Sequence, residues 1–248
     1  QGGTACLGAR GVRRFATRTR TAPTNCRRGL NIVARQRREA PENLFGISDP
    51  SQLERIAGSL ATHRLGELEL GKPLTEFTRE SLLRTHRYLM QDIYPWAGEI
   101  RTEEVGAMGM AMCRAQFVDA ELERVMGRIA KMSPSSSDIE SAVRTVADHW
   151  SELTIVHPFR DGNSRTQRYF FDQMLRAAGW AVDWTRIDAA EAHAARYVGA
   201  ATADPSFLAQ VLRPGVFASA ELPNGNGSLS KTQGQRASAA EVFHRMME

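Results

Sequence analysis

The chain has 248 residues, of which 42% are hydrophobic and 24% are charged, and its formal net charge is +4. This size suits one well-buried core with tails, and no apolar run reaches the roughly eighteen residues of a membrane span. Cys6, Cys26 and Cys113 form no CxxC pair, and the six histidines are dispersed, which argues against a disulfide framework or a zinc site and favours a reducing, cytoplasmic setting.

Positive charge is concentrated at the start of the chain. Residues 1–40 contain ten arginines and one acid, so they carry +9 and leave −5 for the remainder. Nucleic acid, acidic lipid or an organelle address are possible uses of such an arm, but we predict a disordered arm with no function of its own. Because the chain begins with Gln1 and its first methionine is Met90, either a start residue lies outside it or part of the arm is not translated.

Two helices are predicted after the arm. Ser51 is the expected N-cap of the first helix, with Glu54 as its capping-box partner. Thr78 is the expected N-cap of the second helix, in which apolar residues recur at spacings of three and four. The stretch 94–98 (YPWAG) ends that helix, and the alternation within residues 103–114 indicates a small β-hairpin.

The rest of the chain also has a helical pattern. Helices are predicted over 116–132, 138–156, 164–178 and, in two or three pieces, 188–213. Gly179 suits the C′ position, just after the end of the helix predicted over 164–178. We predict an all-α domain over residues 41–215, followed over 216–248 by a linker and a short C-terminal helix at 238–247.

Residues 157–168 (HPFRDGNSRTQR) lie between two of the strongest helical patterns. Pro158 disfavours helical backbone at His157, and Gly162-Asn163 accepts turn geometry, with Asn163 as the expected N-cap of the outgoing helix. A helix that starts after glycine presents unpaired N–H groups, which suit an anion.

Charged residues in this segment are suited to a polyphosphate. Arg165 and Arg168 lie three residues apart, so both should point the same way, and their guanidinium groups match phosphate oxygens. Asp161 is a suitable ligand for Mg²⁺, and His157 is a suitable proton acceptor for an attacking hydroxyl. Taken singly, a histidine, two surface arginines or an Asp-Gly-Asn turn would indicate no function, but together they indicate phosphate chemistry.

The segment also resembles the Fic motif, H-x-F-x-[D/E]-G-N-[G/x]-R-x-x-R. The matching residues are His157, Phe159, Asp161, Gly162, Asn163, Arg165 and Arg168. Residues 94–101 (YPWAGEIR) look like the family's segment before its flap, and the resemblance covers about residues 44–215. It implies a Fic-type helical domain with a small β-hairpin flap near the active site.

The resemblance implies a protein adenylyltransferase that uses ATP and Mg²⁺. His157 would be the general base toward a Tyr, Thr or Ser hydroxyl of the target, and Asp161 would hold Mg²⁺. The remaining implied nucleotide contacts are Phe159, Gly162, Asn163, Ser164, Arg165 and Arg168, with Phe159 fixing the loop, Asn163 near the α-phosphate and Arg168 at the γ-phosphate. A serine stands at 164 where relatives often have glycine, so its side chain would crowd or hydrogen-bond a phosphate.

A flap in this family docks an extended target peptide by strand addition. The residues expected to do so here are Met108, Gly109, Met110, Ala111 and Met112, although a plain surface loop is the alternative reading of the same residues. Relatives that transfer a phosphoryl group resemble the motif with alanine at the position of Gly162, so the glycine favours AMP transfer.

Relatives are often restrained by a glutamate in the pattern [S/T]-x-x-x-E-[G/N]. Residues 136–141 match it only in part and begin the wrong helix. We therefore expect a toxin-like bacterial enzyme restrained by a separate small antitoxin that supplies the glutamate; an unrestrained enzyme is the alternative. Implied targets include topoisomerase subunits, and neither a membrane nor a nucleic acid is expected as a partner. Transfer of UMP or a phosphoryl group, and a catalytically silent binding module, remain the competing functions.

Overall fold

The computed structural model describes residues 39–219, so the predicted basic arm and the predicted C-terminal helix lie outside the described residues. The described part contains seven α-helices and two pairs of short antiparallel strands. The elements are α1 (Pro50–Leu70), α2 (Arg79–Met90), β1 (Gly106–Ala107), β2 (Met110–Ala111), α3 (Val118–Lys131), α4 (Ile139–Val156), α5 (Asn163–Ala177), β3 (Trp180–Val182), α6 (Ala189–Thr202), α7 (Ser206–Leu212) and β4 (Val216–Ala218). The prediction of a mostly helical domain with a small hairpin is confirmed.

Helix starts were predicted correctly only where the cap is unambiguous. Thr78 accepts a hydrogen bond from the N–H of Ser81, and the Ser81 hydroxyl closes the box by accepting from the N–H of Thr78. At α1 the predicted cap, Ser51, is wrong. The side chain of Asp49 is the cap, because Pro50 has no N–H to satisfy and suits the first helical position. The prediction that Glu54 is the capping-box partner of Ser51 is therefore also wrong.

The core is built mainly on α4. This helix packs against α3, α5, α6 and α7. The sequence predicts one apolar stripe along it, at Ile139, Val143, Val146, Trp150 and Leu153, and all of these are buried except Ile139, which is half-buried. Each such side chain contributes on the order of 1.5–3 kcal/mol by leaving water. A smaller cluster joins α1 to the end of α2 through Leu53, Ala57 and Met90. The segment that connects α4 to α5 is therefore held at both ends by the best-packed helices.

The predicted linker does not begin at residue 216 as a loop. Residues 216–218 form β4, which pairs with β3 in the register Trp180↔Ala218 and Val182↔Val216. This short ribbon packs next to the core because Trp180 and Val216 are both buried. Among residues 39–219, no helix combines the length and apolarity that crossing a bilayer requires.

Candidate active site

Within the loop between α4 and α5, one side chain bonds to the backbone of a residue four positions earlier. The Asn163 amide accepts a hydrogen bond from the N–H of Phe159 at 3.1 Å and donates one to its carbonyl oxygen at 2.7 Å. The prediction that Asn163 caps α5 is therefore wrong. Gly162 is the N-cap, at φ +76°, and Asn163 is the first helical residue, because its amide is used to hold the turn before it.

His157 lies at the point where α4 ends. Its backbone is left-handed, at φ 48°, while its N–H still donates to the Leu153 carbonyl at 3.1 Å. Such a conformation costs a non-glycine residue about 1 kcal/mol, and strain of this kind is concentrated at functional sites. It turns the imidazole out of the helix line and into the cavity described below.

The environment of His157 keeps its imidazole neutral. Burial, together with the positive charges of Arg196 and Arg101, lowers its pKa to about 3, against smaller opposing effects of the Thr154 backbone and Asp161. Its buried Nδ1 makes no hydrogen bond of normal geometry within residues 39–219. The ring is therefore able to accept a proton at neutral pH.

A buried histidine that the sequence analysis overlooked orders this loop. His86 stacks on Phe159 with ring centroids 3.7 Å apart, and its Nδ1 accepts a hydrogen bond from the N–H of Gly98 at 2.8 Å. The proton must then be on Nε2, which lies 3.0 Å from the carbonyl oxygen of Asp161. Burial lowers the pKa of His86 to about 4, so it also remains neutral. The only sequence sign of this role was its place in the apolar stripe of α2.

Asp161 presents an oriented carboxylate. Its Oδ1 accepts the N–H of Gly162 at 2.8 Å, and its Oδ2 accepts the hydroxyl of Tyr94 at 2.5 Å. Within residues 39–219 no group of three or more side chains could hold a metal ion by itself. A single carboxylate fits Mg²⁺, which characteristically takes one or two protein oxygens and completes its shell with phosphate oxygens and water.

The start of α5 has unpaired donors. The N–H groups of Asn163, Ser164 and Arg165 have no hydrogen-bond partner among the described residues, and Gly162 supplies no side-chain cap. The positive φ of Gly162 favours a glycine there, and an added Cβ would also lie 2.8 Å from the terminal carbon of Met90 and 3.1 Å from Nε2 of His86. The helix start therefore offers a positive dipole end with free donors, which is a site for an anion.

The two motif arginines do not point the same way, in contrast to the prediction. Arg165 is 7% exposed and faces the space beside Asp161. Arg168 lies over the ring of Trp184, with its guanidinium carbon 4.9 Å from the ring centroid, near Asp172 and Glu69. Burial lowers the pKa of Arg168 to about 10, so it remains charged. Asp172 is one turn further along the same helix, but the ring of Trp184 and the carboxylate of Glu69 come from outside the motif loop and are brought to Arg168 only by the fold.

These groups meet at one cavity of about 270 Å³. It is lined by Glu54, Ala107, His157, Asp161, Gly162, Asn163, Ser164, Arg165, His193 and Tyr197. A neighbouring cavity of about 160 Å³ shares Glu54, Asp161 and Arg165 with it. Of the predicted site residues, Phe159 lies beneath the cavity in the core and Arg168 is not part of its lining within the described residues. Glu54, His193 and Tyr197 were missed because only tertiary packing brings α1 and α6 to the loop.

The predicted flap is a two-stranded hairpin beside this cavity. Its turn residues, Met108 and Gly109, both have positive φ, which is the geometry of a tight hairpin turn. Ala107 reaches the cavity lining, and Met108 is 58% exposed. Met112 is only 4% exposed, so its side chain is not available to a target, in contrast to the expectation. The reason is that the chain turns back into the core after β2.

Arg101 connects the flap segment to the loop. Its guanidinium donates to the carbonyl oxygens of His157 at 2.6 Å, Cys113 at 2.5 Å and Glu103 at 2.7 Å. The side chain is 2% exposed, and burial lowers its pKa without removing its charge. Arg101 belongs to the segment 94–101, but its role is not evident from sequence, since only the fold brings these carbonyls together.

The sequence and fold were compared with known proteins. The family model of the Fic/DOC family matches residues 76–175. VbhT, a protein adenylyltransferase of Bartonella schoenbuchensis, is 29% identical over 150 residues, which are 60% of this chain and 31% of VbhT. An Escherichia coli protein named "Probable protein adenylyltransferase Fic" is 31% identical over 149 residues, which are 59% of this chain and 72% of that protein.

The chain belongs to the Fic/DOC family. The fold agrees, because the structure of the Bartonella tribocorum protein BepC with bound AMPPNP has a TM-score of 0.63 over 71% of this chain and 92% of that one, at 19% identity. Membership of a family whose named relatives are protein adenylyltransferases confirms the predicted family and enzyme class. The matched stretch covers only 31% of VbhT, so most of the VbhT sequence lies outside the match.

Proposed function

We propose that this Fic protein transfers AMP from ATP onto a Tyr, Thr or Ser hydroxyl of a target protein, with His157 as the general base. The observation that carries the proposal is the composition of one cavity. A neutral imidazole, an oriented carboxylate and the unpaired N–H groups of a helix start all line it. This combination provides a proton acceptor, a metal ligand and an anion site within the same space.

The proposed reaction is an in-line substitution at phosphorus. The hydroxyl oxygen of the target attacks the α-phosphorus of ATP and forms a new O–P bond, while its proton passes to the imidazole of His157. The bond between the α-phosphorus and the oxygen that bridges to the β-phosphate breaks, and pyrophosphate leaves. The negative phosphates alongside would raise the affinity of His157 for this proton above that of the empty site.

The remaining residues of the cavity hold the nucleotide. The N–H groups of Asn163, Ser164 and Arg165 and the guanidinium of Arg165 would bind phosphate oxygens. Asp161 would hold Mg²⁺, which when bound neutralises part of the phosphate charge. The contact of Arg168 with the γ-phosphate stays a prediction, and it requires the guanidinium to leave Trp184.

Regulation and target are also proposals. We infer that the enzyme is toxin-like and that a separate small antitoxin inserts a glutamate near the motif arginines, since residues 136–141 lack the complete inhibitory pattern. In the structure these residues span the start of α4: Asp138 is its N-cap, and residues 139–141 form its first turn. A topoisomerase subunit is one proposed target.

Addition of a candidate antitoxin should suppress AMP transfer. A protein that transfers no AMP even when it is alone would argue against a separate inhibitor.

The test is label transfer in a bacterial lysate with ATP labelled in the α or the γ position. Label from the α position only, lost in His157→Ala, would support AMP transfer. Label from the γ position would instead indicate phosphoryl transfer, and label from α-labelled UTP would indicate UMP transfer. Intact nucleotide binding without any transfer would indicate a restrained enzyme or a silent binding module. His63→Ala is the matched control, because that imidazole is 74% exposed on α1 and lies outside the cavity lining.

A further inference from the structure

Arg196, on α6, is a buried cation next to the start of α5. Its side chain is 2% exposed, and within residues 39–219 it makes no ion pair. Its guanidinium donates to neutral acceptors: the Ser164 hydroxyl, Gln167 Oε1 at 3.4 Å, His193 Nδ1 at 3.2 Å and the Tyr197 hydroxyl at 3.2 Å. A buried charge normally has a charged partner, so this arrangement leaves room for a negative group close by.

Ser164 stands between this cation and the cavity. Its hydroxyl oxygen accepts a hydrogen bond from Arg196, while Ser164 is itself part of the cavity lining and Arg196 is not. A hydroxyl has one proton to donate, and no acceptor for the Ser164 proton is found in the described part of the chain. With one side of the oxygen used by Arg196, the proton is left to point toward the cavity.

We propose that the Ser164 hydroxyl donates a hydrogen bond to a phosphate oxygen of the bound nucleotide and that Arg196 is the positioning residue that orients it. This inference rests on the proposed function. Donation from Arg196 to the same oxygen also polarises the hydroxyl, which makes it a stronger donor. Ser164 is then an additional phosphate ligand and does not crowd the site. Arg196 supports it without contacting the nucleotide.

The test is a double-mutant cycle read as the Kd for ATP with Mg²⁺, using Ser164→Ala, Arg196→Met and the double variant. A hydrogen bond to a charged phosphate predicts a Kd about tenfold higher for Ser164→Ala. Arg196→Met should weaken binding comparably, and the double variant should be no worse than either single one, because both remove the same bond. Adenosine, which lacks phosphate, should bind all four proteins within about twofold.

Two further variants separate this role from a structural one. Thr166→Val removes a buried hydroxyl without a partner from the same helix, and its Kd should equal that of the wild type. Ser164→Thr keeps a hydroxyl and should restore most of the affinity lost in Ser164→Ala. If Arg196→Met does not fold, the comparison of Ser164→Ala with Ser164→Thr carries the test of the phosphate contact by itself.

Two outcomes would overturn the inference alone, while the proposed function stands. One is wild-type binding of ATP with a Ser164→Ala affinity within about twofold of it; the other is Arg196→Met weakening binding equally with and without the Ser164 hydroxyl. A wild-type protein that binds no ATP with Mg²⁺ would overturn both the inference and the proposed function.

Discussion

The loop that joins α4 to α5 and the hairpin of β1 and β2 line the same cavity but are held in opposite ways. In the loop, Phe159 is fully buried, Asn163 is 3% exposed, and both ends of the Asn163 amide are hydrogen-bonded. The hairpin has strands of two residues, and its turn residue Met108 is 58% exposed. The groups proposed to act on phosphorus need a fixed geometry, whereas a hairpin predicted to accept an extended peptide benefits from an exposed, adaptable edge.

Arg101 is where the two regions meet. One guanidinium contacts the carbonyl of His157 in the loop and the carbonyl of Cys113 after the hairpin. The rigid region can therefore position the base of the hairpin without stiffening its tip.

Removal of the proposed base should abolish chemistry while leaving the rigid loop folded. His157→Ala should lower the rate of AMP transfer by roughly 10²- to 10⁴-fold, the usual contribution of a general base. The Kd for ATP should change far less, because the proposed phosphate contacts come from the start of α5. Single-turnover rates and equilibrium binding measure the two effects. A variant with a rate close to that of the wild type would remove His157 from the mechanism.

Acid should destabilise the region around the loop. His157 and His86 have folded-state pKa values of about 3 and about 4, below the value of 6.5 for a free histidine. Protons therefore bind the unfolded chain more tightly, so stability is complete above about pH 6.5 and is lost as the pH falls toward the folded pKa values. Each histidine should cost about 2 kcal/mol between pH 6.5 and pH 5.

Urea unfolding at several pH values measures this loss. His157→Gln should flatten the dependence of the free energy of unfolding on pH, since it removes one of the groups with a depressed pKa. His63→Gln, at an exposed position, should leave the slope as it is in the wild type. Equal slopes in all three proteins would show that His157 is not buried in its neutral form.

Two glycines with the same backbone conformation should respond differently to alanine. Gly162 has φ +76° with Met90 only 2.8 Å from an added Cβ, whereas Gly109 has φ +74° with nothing within 4 Å. Gly162→Ala should lower the free energy of unfolding by about 2–4 kcal/mol, from strain plus overpacking. Gly109→Ala should lose only about 1 kcal/mol, from strain alone. Equal losses would mean that the loop is not more tightly packed than the hairpin.

The smallest effect is expected at the tip of the hairpin. Met108 adopts φ 52°, a conformation that asparagine tolerates better than methionine. Met108→Asn should raise the free energy of unfolding by less than about 1 kcal/mol and leave the Kd for ATP unchanged. Calorimetry and nucleotide titration test this. A large change in ATP affinity would show that the tip contributes to nucleotide binding as well.

Local signals were sufficient where the interaction is itself local. Thr78 caps α2 as predicted, because the cap and its partner Ser81 are three residues apart. The apolar stripe of α4 is buried as predicted, since a regular period dictates which face meets the core. Where two capping residues compete within three positions, as Asp49 and Ser51 do, propensity cannot choose, and the intervening proline decides.

Periodicity and residues adjacent in the chain are enough to predict the helical class, the family and the composition of the motif loop. The direction in which each side chain of that loop points depends on the packing of helices that are distant in sequence. Arg168 turns to Trp184, Asn163 turns back to Phe159, and Ser164 is held by Arg196, a residue 32 positions away. The physical reason is that a buried polar group takes whatever partner the packing of other helices brings within hydrogen-bond distance, and sequence spacing does not encode that distance.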